Sequence, residues 1–549
     1  MTDTDAATDA YEYPLLIKQL LHTPLAIAPN QELVYADHRR YDYRTFKQRL
    51  ASLAAGLTAL GVAKGSTVAV MDWDSHRYLE CFFAVPMMGA VLHTINVRLA
   101  PEQILYTANH AEDDFILVHA DFLPLLLEIR ERIERPVKVI LLRDNDDTPE
   151  TTLDIENEYE QLVSGAAAQF EFPEFDERTR ATTFYTTGTT GNPKGVYYSH
   201  RQLVLHTMGV MGGLGAASHQ GRLHMGDVYM PITPMFHVHA WGLPYVATLM
   251  GLKQVYPGRY TPEALLQLIQ RERVTFSHCV PTILHMLLNS PLIDEFDLSN
   301  WKVVIGGSAL PQGLAQAAID RGIDVFSAYG MSETCPFVSV AHLTPAHITH
   351  SADEQLSIRC KTGRAAPMVE LRVVDDDMND VNHNGKDTGE VVVRAPWLTQ
   401  GYRKNPEGSE QLWTGSYLHT GDIGHIDASG YLQITDRLKD VIKSGGEWIS
   451  SLRLEDIASQ HPGVVEVAAI GIPDERWGER PMLLVVRDVA GMPDIGADDI
   501  RDHVRQCADR GEISTWAVPD RVEFVGAIAK TSVGKLDKKR LRQQYGGPR

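Results

Sequence analysis

Apolar and polar residues alternate along the chain in two repeats, which together predict helices and strands in turn. The helix repeat, with spacings of four and three, is clearest in Phe46, Leu50, Leu53, Leu57 and Leu60. Short apolar runs then predict buried strands at residues 68–71, 91–95 and 115–118. A helix through residues 78–88 and another that begins at Pro101 would separate these strands. Such alternation is typical of a parallel sheet with flanking helices.

The second half of the chain continues this alternation and then changes character. Predicted strands lie at residues 228–232, 254–256, 275–279, 303–305 and 325–328. Residues 375–387 are rich in Asp, Asn and Gly, and residues 389–394 and 431–435 predict antiparallel strands. We therefore predict a large α/β domain over residues 1–436, with parallel sheets, flanking helices and a small antiparallel β subdomain. For residues 437–549 we predict a small α+β C-terminal domain.

Composition narrows the class of protein. Hydrophobic residues make up 44% and charged residues 22% of the chain, as in globular proteins. The net charge of −20 argues against a nucleic-acid partner and against binding to anionic membranes. The five cysteines lie far apart, so we expect free thiols in a reducing compartment. The N-terminus lacks a signal-peptide core, and the longest apolar stretch, 81–92, is interrupted by Pro86 and Gly89. We expect a cytoplasmic protein with no integral membrane segment.

A loop at residues 185–195 is the most distinctive stretch of the chain. Its hydroxyls, glycines and lysine are Thr186, Thr187, Gly188, Thr189, Thr190, Gly191 and Lys194. An apolar run ends at Tyr185 and helical residues resume near His200, so we predict a loop between a strand and a helix. Bare backbone N–H groups, hydroxyls and a lysine favour a phosphate ligand. The order differs from the triphosphatase P-loop, because Lys194 follows proline. The alternative interpretation is a flexible linker.

Further polar residues follow other predicted strands. Residues 306–309 and 328–333 each follow a buried strand, and ligands of parallel sheets collect beyond the carboxyl ends of strands. Tyr329 offers a ring that can stack on a base, and Glu333 offers a carboxylate for Mg²⁺ beside a phosphate. Asp422 lies in a turn, where it can accept hydrogen bonds from ribose hydroxyls. Lys535 lies on a glycine-bearing loop, where it can reach a phosphoryl or carboxyl oxygen.

Each of these residues also has a structural interpretation. Tyr329 would then be a core residue, Glu333 and Asp422 solvated carboxylates, and Lys535 an ordinary surface charge.

Taken together, these stretches resemble the motifs of the adenylate-forming superfamily, in the same order along the chain. This superfamily contains acyl-CoA synthetases, adenylation domains of non-ribosomal peptide synthetases and beetle luciferases. Residues 185–195 are similar to its phosphate loop, and residues 329–333 to its Tyr-Gly-x-Thr-Glu motif, with Ser332 in place of Thr. The remaining matches are 420–422 (ribose motif), 436–440 (hinge), 443–450 (glycine loop) and 531–535 (catalytic-lysine motif). Ala529 stands where the superfamily often has proline.

The resemblance implies roles for particular residues. The residues with implied catalytic roles are Lys535, Glu333, Thr189 and His237. Of these, Thr189 and Glu333 would hold Mg²⁺. ATP or AMP contacts fall to Thr186, Thr187, Gly188, Thr190, Gly191, Lys194, Gly307, Ser308, Ala328, Tyr329, Gly330, Met331, Ser332, Asp422, Arg437 and Lys439. The hinge and CoA channel would contain Lys439, Lys443, Ser444, Gly445, Gly446, Glu447 and Trp448. The acyl pocket would contain His237, Val238, Trp241 and Gly307.

Within the superfamily, residues 90–96, 234–241 and 443–450 are most similar to bacterial fatty-acyl-CoA ligases. The resemblance implies that a carboxylic acid attacks MgATP to give acyl-AMP and pyrophosphate, after which coenzyme A displaces AMP. It implies a C-terminal domain that rotates about Lys439 between the two steps, and a homodimer. Trp241 would gate the acyl tunnel or only pack in the core, and His237 would be chemical or structural.

Three alternatives remain open on the sequence. The acid is a medium- or long-chain fatty acid, or instead a short thioether acid such as 3-methylmercaptopropionate, a branched acid or an aryl acid. The acceptor is coenzyme A, or instead a carrier-protein thiol or oxygen. The third alternative is a nucleotide-binding module without turnover, which an intact set of Lys535, Glu333 and Asp422 disfavours.

Overall fold

The structure is a computed structural model. It describes residues 10–145, 150–167, 169–186, 192–218, 220–437, 439–444, 447–488, 495–531 and 536–546, with only the backbone of residues 447 and 448.

The first large sheet is built from the buried apolar runs of the N-terminal region. Its strands, in order across the sheet, are Ile155–Glu158, Lys138–Leu142, Phe115–His119, Thr67–Met71, Val91–Thr94, Arg180–Tyr185 and Gly195–Ser199. Neighbouring strands are parallel except for the last pair, which is antiparallel. The helices of this region are His22–Ile27, Tyr43–Ala59, His76–Met87, Pro101–Ala111, Leu123–Arg130 and Tyr159–Gly165. Helices cover the sheet, so its central strands are buried on both faces.

The second large sheet carries the strands that lead into the candidate site. Its strands, in order, are Arg364–Ala365, Phe337–Val340, Asp324–Gly330, Lys302–Ile305, Phe276–Cys279, Val228–Pro231, Lys253–Tyr256, Glu32–Tyr35 and Arg39–Asp42. The central strands are parallel and both edges are antiparallel. Its right-handed helices are His200–Gly215, Leu243–Leu249, Pro262–Glu272, Pro281–Leu288, Gln312–Ile319 and Ala352–Arg359.

Two smaller sheets complete the described chain. One contains Glu370–Val374, Gly389–Arg394, Tyr417–Ile426, Trp413–Thr414 and Leu432–Arg437, paired antiparallel, with helix Pro406–Leu412 beside it. The other contains Glu447–Ile449, Ile442–Ser444, Gly478–Arg487, Val464–Asp474 and Arg521–Phe524. Helices Ser451–Ser459, Ala497–Asp509 and Lys538–Tyr545 pack in this C-terminal part. No described helix combines the length and the apolarity that a membrane crossing requires.

This architecture confirms the predicted fold class, a large α/β part with a small antiparallel β subdomain and a separate α+β part at the C-terminus. The boundary near Asp436 stays a prediction.

The prediction that the loop 185–195 joins a strand to a helix is wrong. The loop joins two antiparallel strands, with Tyr185 opposite Gly195, and the helix begins only at His200. The missed strand buries Val196 and Tyr198 and leaves Tyr197 half-buried between them, which is the two-residue alternation of a strand. The side chain of Ser199 then caps the helix by accepting a hydrogen bond from the Gln202 N–H.

Candidate active site

A cavity of about 360 Å³ opens where the carboxyl ends of the second sheet meet the C-terminal part of the chain. Its apolar side is formed by Val210, Leu214, Val238, Trp241, Leu243, Val304, Pro336 and Phe337. The C-terminal part contributes Thr531, Leu536, Lys538, Lys539 and Arg542 to the lining. The predicted site residues that border it are Thr186, Lys194, His237, Val238, Trp241, Gly307, Ala328, Tyr329, Gly330, Met331, Ser332, Glu333, Arg437 and Lys439. Residues distant in sequence therefore share one chamber.

Hydrogen bonds join the two described ends of the loop 185–195. The N–H of Thr186 donates to the Lys194 carbonyl at 3.0 Å, and the Lys194 N–H donates to the Thr186 hydroxyl at 3.2 Å. Lys194 is exposed at the cavity, and its Nζ lies 4.5 Å from the centre of the Tyr402 ring. This contact holds a cation at the cavity rim without neutralising it. The predicted residues Thr187, Gly188, Thr189, Thr190 and Gly191 lie outside the described residues.

Glu333 is a buried carboxylate at the edge of the cavity. Its side chain accepts a hydrogen bond from the Tyr402 hydroxyl at 2.6 Å, and the residue is only 7% exposed. Burial, and to a smaller extent the charge of the adjacent Glu333, raise the pKa of Tyr402, so its hydroxyl stays protonated and donates. The interpretation of Glu333 as a solvated carboxylate is therefore wrong. The neighbouring Ser332 carbonyl accepts from the Tyr198 hydroxyl at 2.6 Å, which fixes the short 3-10 helix Ser332–Thr334 that carries Glu333.

Tyr329, Asp422 and Arg437 form a hydrogen-bonded chain beside the cavity. The Tyr329 hydroxyl donates to Asp422 Oδ2 at 2.6 Å, and Arg437 Nε lies 3.0 Å from Oδ1. Burial and the Asp422 charge raise the pKa of Tyr329 well above its usual range. Asp422 is 2% exposed, so its interpretation as a solvated carboxylate is wrong, and it reaches the cavity only through its two partners. Tyr329 is half-buried and lines the cavity, so its interpretation as a core residue is wrong.

The segment that carries His237 and Trp241 has an unusual backbone. Residues Val238–Trp241 form a helical turn with φ angles of 48°, 54°, 48° and 59°, which is left-handed, and Gly242 continues it at 73°. For four L-residues this conformation costs roughly 4–8 kcal/mol, at 1–2 kcal/mol each. Trp241 is half-buried and borders the cavity, and its role as a gate of the acyl tunnel stays a prediction.

Positive side chains dominate the charged lining of the cavity. Among the described lining residues the basic ones are Lys194, Arg437, Lys439, Lys538, Lys539 and Arg542, and the acidic ones are Glu333 and Asp440. Three of these cations already have acidic partners, since Arg437 pairs with Asp422, Arg542 with Asp440 and Lys538 with Glu455. In a chain with a net charge of −20 this local excess of positive charge marks a site for an anion.

Other predicted site residues lie elsewhere. Ser308 is exposed and does not border the cavity. Lys443 and Ser444 lie in the C-terminal sheet, where the Lys443 N–H donates to Glu479 and buried Ser444 accepts from Arg480. Gly445, Gly446 and Lys535 lie outside the described residues, and Glu447 and Trp448 are described only as backbone in strand Glu447–Ile449. Thr531 and Leu536, which flank residues 532–535, both border the cavity.

Several lining residues carry no recognisable signal in the sequence. Tyr402 lies in no recognised motif, and its partner Glu333 is 69 residues away, so the sequence gives no sign of their contact. The apolar lining from helix His200–Gly215, namely Val210 and Leu214, was missed because its spacing of four is indistinguishable from ordinary core packing.

Comparison with known proteins now defines the class. Residues 23–403 match the AMP-binding enzyme family, and residues 453–535 match the AMP-binding enzyme C-terminal domain. The chain belongs to the AMP-binding enzyme family, which confirms the resemblance to adenylate-forming enzymes.

Two relatives and one solved structure are similar to this chain over most of its length. A long-chain-fatty-acid–CoA ligase from Thermus thermophilus is 41% identical over 511 residues, covering 92% of this chain and 90% of the relative. A 3-methylmercaptopropionyl-CoA ligase from Ruegeria pomeroyi is 39% identical over 498 residues, covering 90% and 89%. The crystal structure of the anthranilate CoA ligase AuaEII with anthranoyl-AMP shares the fold, with a TM-score of 0.84 at 23% identity over 97% of this chain and 98% of that one.

Proposed function

We propose that this protein is an ATP-dependent, AMP-forming acyl-CoA ligase that acts on a medium- or long-chain fatty acid. The observation that carries the proposal is that one cavity is lined by both cationic and apolar side chains. An acid with an aliphatic tail and a polyanionic nucleotide would both bind in this cavity, with their reacting groups adjacent. The similarity to fatty-acid–CoA ligases supports the same assignment.

In the first step the carboxylate of the acid attacks the α-phosphorus of ATP, and pyrophosphate leaves. The obstacle is the approach of one anion to another, which cationic groups at the reacting atoms relieve. Lys535 would bridge the carboxylate and the α-phosphate, while Lys194 and the threonine loop hold the departing phosphates. The Asp422–Tyr329 pair would bind the ribose and the base. No covalent nucleophile on the protein is needed, so catalysis rests on positioning and charge.

Glu333 fits a magnesium ligand. Its carboxylate is buried at the cavity edge and oriented by the Tyr402 hydroxyl, which is how proteins hold a first ligand for a hard cation. Thr189 is the second ligand that we propose. Bound Mg²⁺ would neutralise phosphate charge at this position.

In the second step the thiol of coenzyme A displaces AMP. Lys535 must leave the cavity for the thiol to enter, and we propose that residues 437–549 rotate as a domain with Lys439 as the pivot. Ser444 and Lys443 lie away from the cavity in the described arrangement, so they would line the CoA channel, with Gly445–Gly446, only after that rotation. A homodimer is the assembly that the resemblance to fatty-acyl ligases favours.

A short thioether acid is the second candidate substrate. The similarity to a 3-methylmercaptopropionyl-CoA ligase, at 39% identity, is close to that of the fatty-acid enzyme. Pyrophosphate release with saturated acids of increasing length and with 3-methylmercaptopropionate, each with and without coenzyme A, separates the two. Release only with long acids supports the first proposal, and release only with the thioether acid supports the second. No release with any acid contradicts both.

The role of Lys535 is tested by the Lys535→Ala variant in each half-reaction. Formation of acyl-AMP should fall by at least about a hundredfold, since a cation at the transition state contributes roughly 2.7–4 kcal/mol. Thioester formation from supplied acyl-AMP should largely persist. Lys530→Ala is the matched control, because Lys530 pairs with Glu466 at 2.8 Å, outside the cavity lining. Equal loss in both half-reactions would contradict the assignment.

A further inference from the structure

The left-handed turn Val238–Trp241 needs an external restraint. Four consecutive residues with side chains hold positive φ angles, a conformation that L-residues avoid unless the surroundings enforce it. The turn carries Val238 and Trp241 at the cavity. Whatever restrains the turn therefore also sets the position of these two side chains.

His239, in the middle of the turn, is the best candidate for that restraint. Its Nε2 lies 2.7 Å from the Thr182 hydroxyl, and the residue is fully buried. The Thr182 hydroxyl donates its single hydrogen to the Leu92 carbonyl at 3.0 Å, so it must accept from His239. The proton of the neutral imidazole is therefore on Nε2. Burial lowers the pKa of His239 to about 3, which keeps this tautomer uncharged at neutral pH.

Thr182 is a firm point of attachment. It lies in the buried strand Arg180–Tyr185, paired in parallel with Leu92 of the neighbouring strand. The rings of Phe82 and Phe184 enclose the imidazole edge-on at 5.3 and 5.4 Å. The hydrogen bond thus links the turn to a fully buried position of the first sheet, in a dry environment where such bonds are strong.

The end of the turn is fitted to its surroundings as well. A Cβ on Gly242 would lie 2.6 Å from Cε1 of His206, so only glycine fits, and its φ of +73° favours glycine as well. Before the turn, the Met235 N–H donates to Asp74 at 2.7 Å and the Thr94 hydroxyl donates to the Phe236 carbonyl at 2.9 Å. These contacts fix the two ends, and His239 holds the middle.

Trp241 lies at a boundary between two cavities. It borders the main cavity and also a second one of about 50 Å³, which is lined by Arg98, Tyr260 and others. His237 and Gly307 border both cavities as well. The indole ring stands 4.9 Å from the ring of His278, tilted by 38°. A small change in the turn would therefore alter the shape of the apolar side of the main cavity.

We propose that His239 is a positioning residue which, through its hydrogen bond to Thr182, holds the left-handed turn and so sets the place of Trp241 in the acid pocket. This inference rests on the proposed acyl-CoA ligase function. Among the described residues, His239 is not part of the lining of either cavity, and it acts through Trp241.

The test compares Thr182→Val with Thr182→Ser. The valine variant removes the hydroxyl at nearly constant volume, and with it the hydrogen bonds to His239 and to the Leu92 carbonyl. Loss of the bond to His239 should raise the KM for the acid about tenfold, which corresponds to about 1.4 kcal/mol. The KM for ATP should change by less than about twofold, a split that general destabilisation does not produce. Thr182→Ser retains the hydroxyl and should restore the wild-type KM. His239→Phe should match the valine variant if it folds, as judged by its melting temperature.

A double-mutant cycle with Trp241→Ala completes the test. If His239 acts through Trp241, adding Thr182→Val to the Trp241→Ala variant should leave the acid KM and the chain-length preference unchanged. Full additivity, or an unchanged acid KM in Thr182→Val alone, would overturn the inference. A wild-type protein inactive on every acid would instead refute the proposed function, so the two failures are distinguishable.

Discussion

The Gly306→Ala variant tests whether Trp241 forms a wall of the acid pocket. Gly306 follows strand Lys302–Ile305 and borders the cavity. An added Cβ would lie 2.9 Å from Cη2 of Trp241 and 3.1 Å from the Ala328 carbonyl oxygen. The carbonyl belongs to a paired strand and cannot yield far, so the indole ring must move.

The size of the effect follows from overpacking. Inserting a methyl group into a packed site costs typically about 1–3 kcal/mol, which corresponds to roughly a 5- to 150-fold rise in the acid KM. The KM for ATP should stay within about threefold, because the new methyl group faces the indole ring. Steady-state kinetics with acids of several lengths, at saturating ATP and coenzyme A, measure this directly.

Gly313→Ala is the matched control. Gly313 lies in helix Gln312–Ile319, and its Cβ would meet no heavy atom within 4 Å. This variant should be stabilised by about 0.5–1 kcal/mol, because alanine favours a helix over glycine, and its kinetics should be those of the wild type. A wild-type KM for every acid in Gly306→Ala would refute the reasoning that Trp241 bounds the pocket.

Two further predictions follow from buried polar groups. Burial lowers the pKa of His206 from 6.5 to about 3. Between these pH values the folded protein binds fewer protons than the unfolded chain, so the stability present above pH 6.5 is lost as the pH falls toward 3. The free energy of unfolding falls by about 1.4 kcal/mol per pH unit in this range. In urea unfolding, His206→Phe should therefore reduce the fall between about pH 6.5 and 5 by about 2 kcal/mol. An unaltered dependence of stability on pH would contradict this prediction. Asp422→Asn should raise the KM for ATP about 10- to 100-fold, since it weakens charged hydrogen bonds with Tyr329 and Arg437 that are each worth roughly 1.5–3 kcal/mol. Equal rises in the acid and ATP KM values would count against a nucleotide role.

The alternation of apolar runs was sufficient to predict the fold class, because burial of a strand on both faces leaves a local signature. The strands at 68–71, 115–118 and 303–305 agree with Thr67–Met71, Phe115–His119 and Lys302–Ile305. The strand Gly195–Ser199 was missed because it follows a polar loop directly and its alternation spans only five residues. Local patterns of this length do not separate a strand from a helix start.

The sequence by itself determined the class of protein and many of the residues that border the cavity, because motifs such as residues 329–333 carry their chemistry in consecutive side chains. Only the tertiary structure decided how these residues are held. Glu333 meets Tyr402 69 residues away, and Tyr329 meets Asp422 93 residues away. The left-handed turn that carries Trp241 likewise depends on contacts with Thr182 and His206, which belong to other segments of the chain. Hydrogen bonds between distant segments arise from the packing of whole sheets, which no local pattern records, so only the fold determines the shape of the cavity.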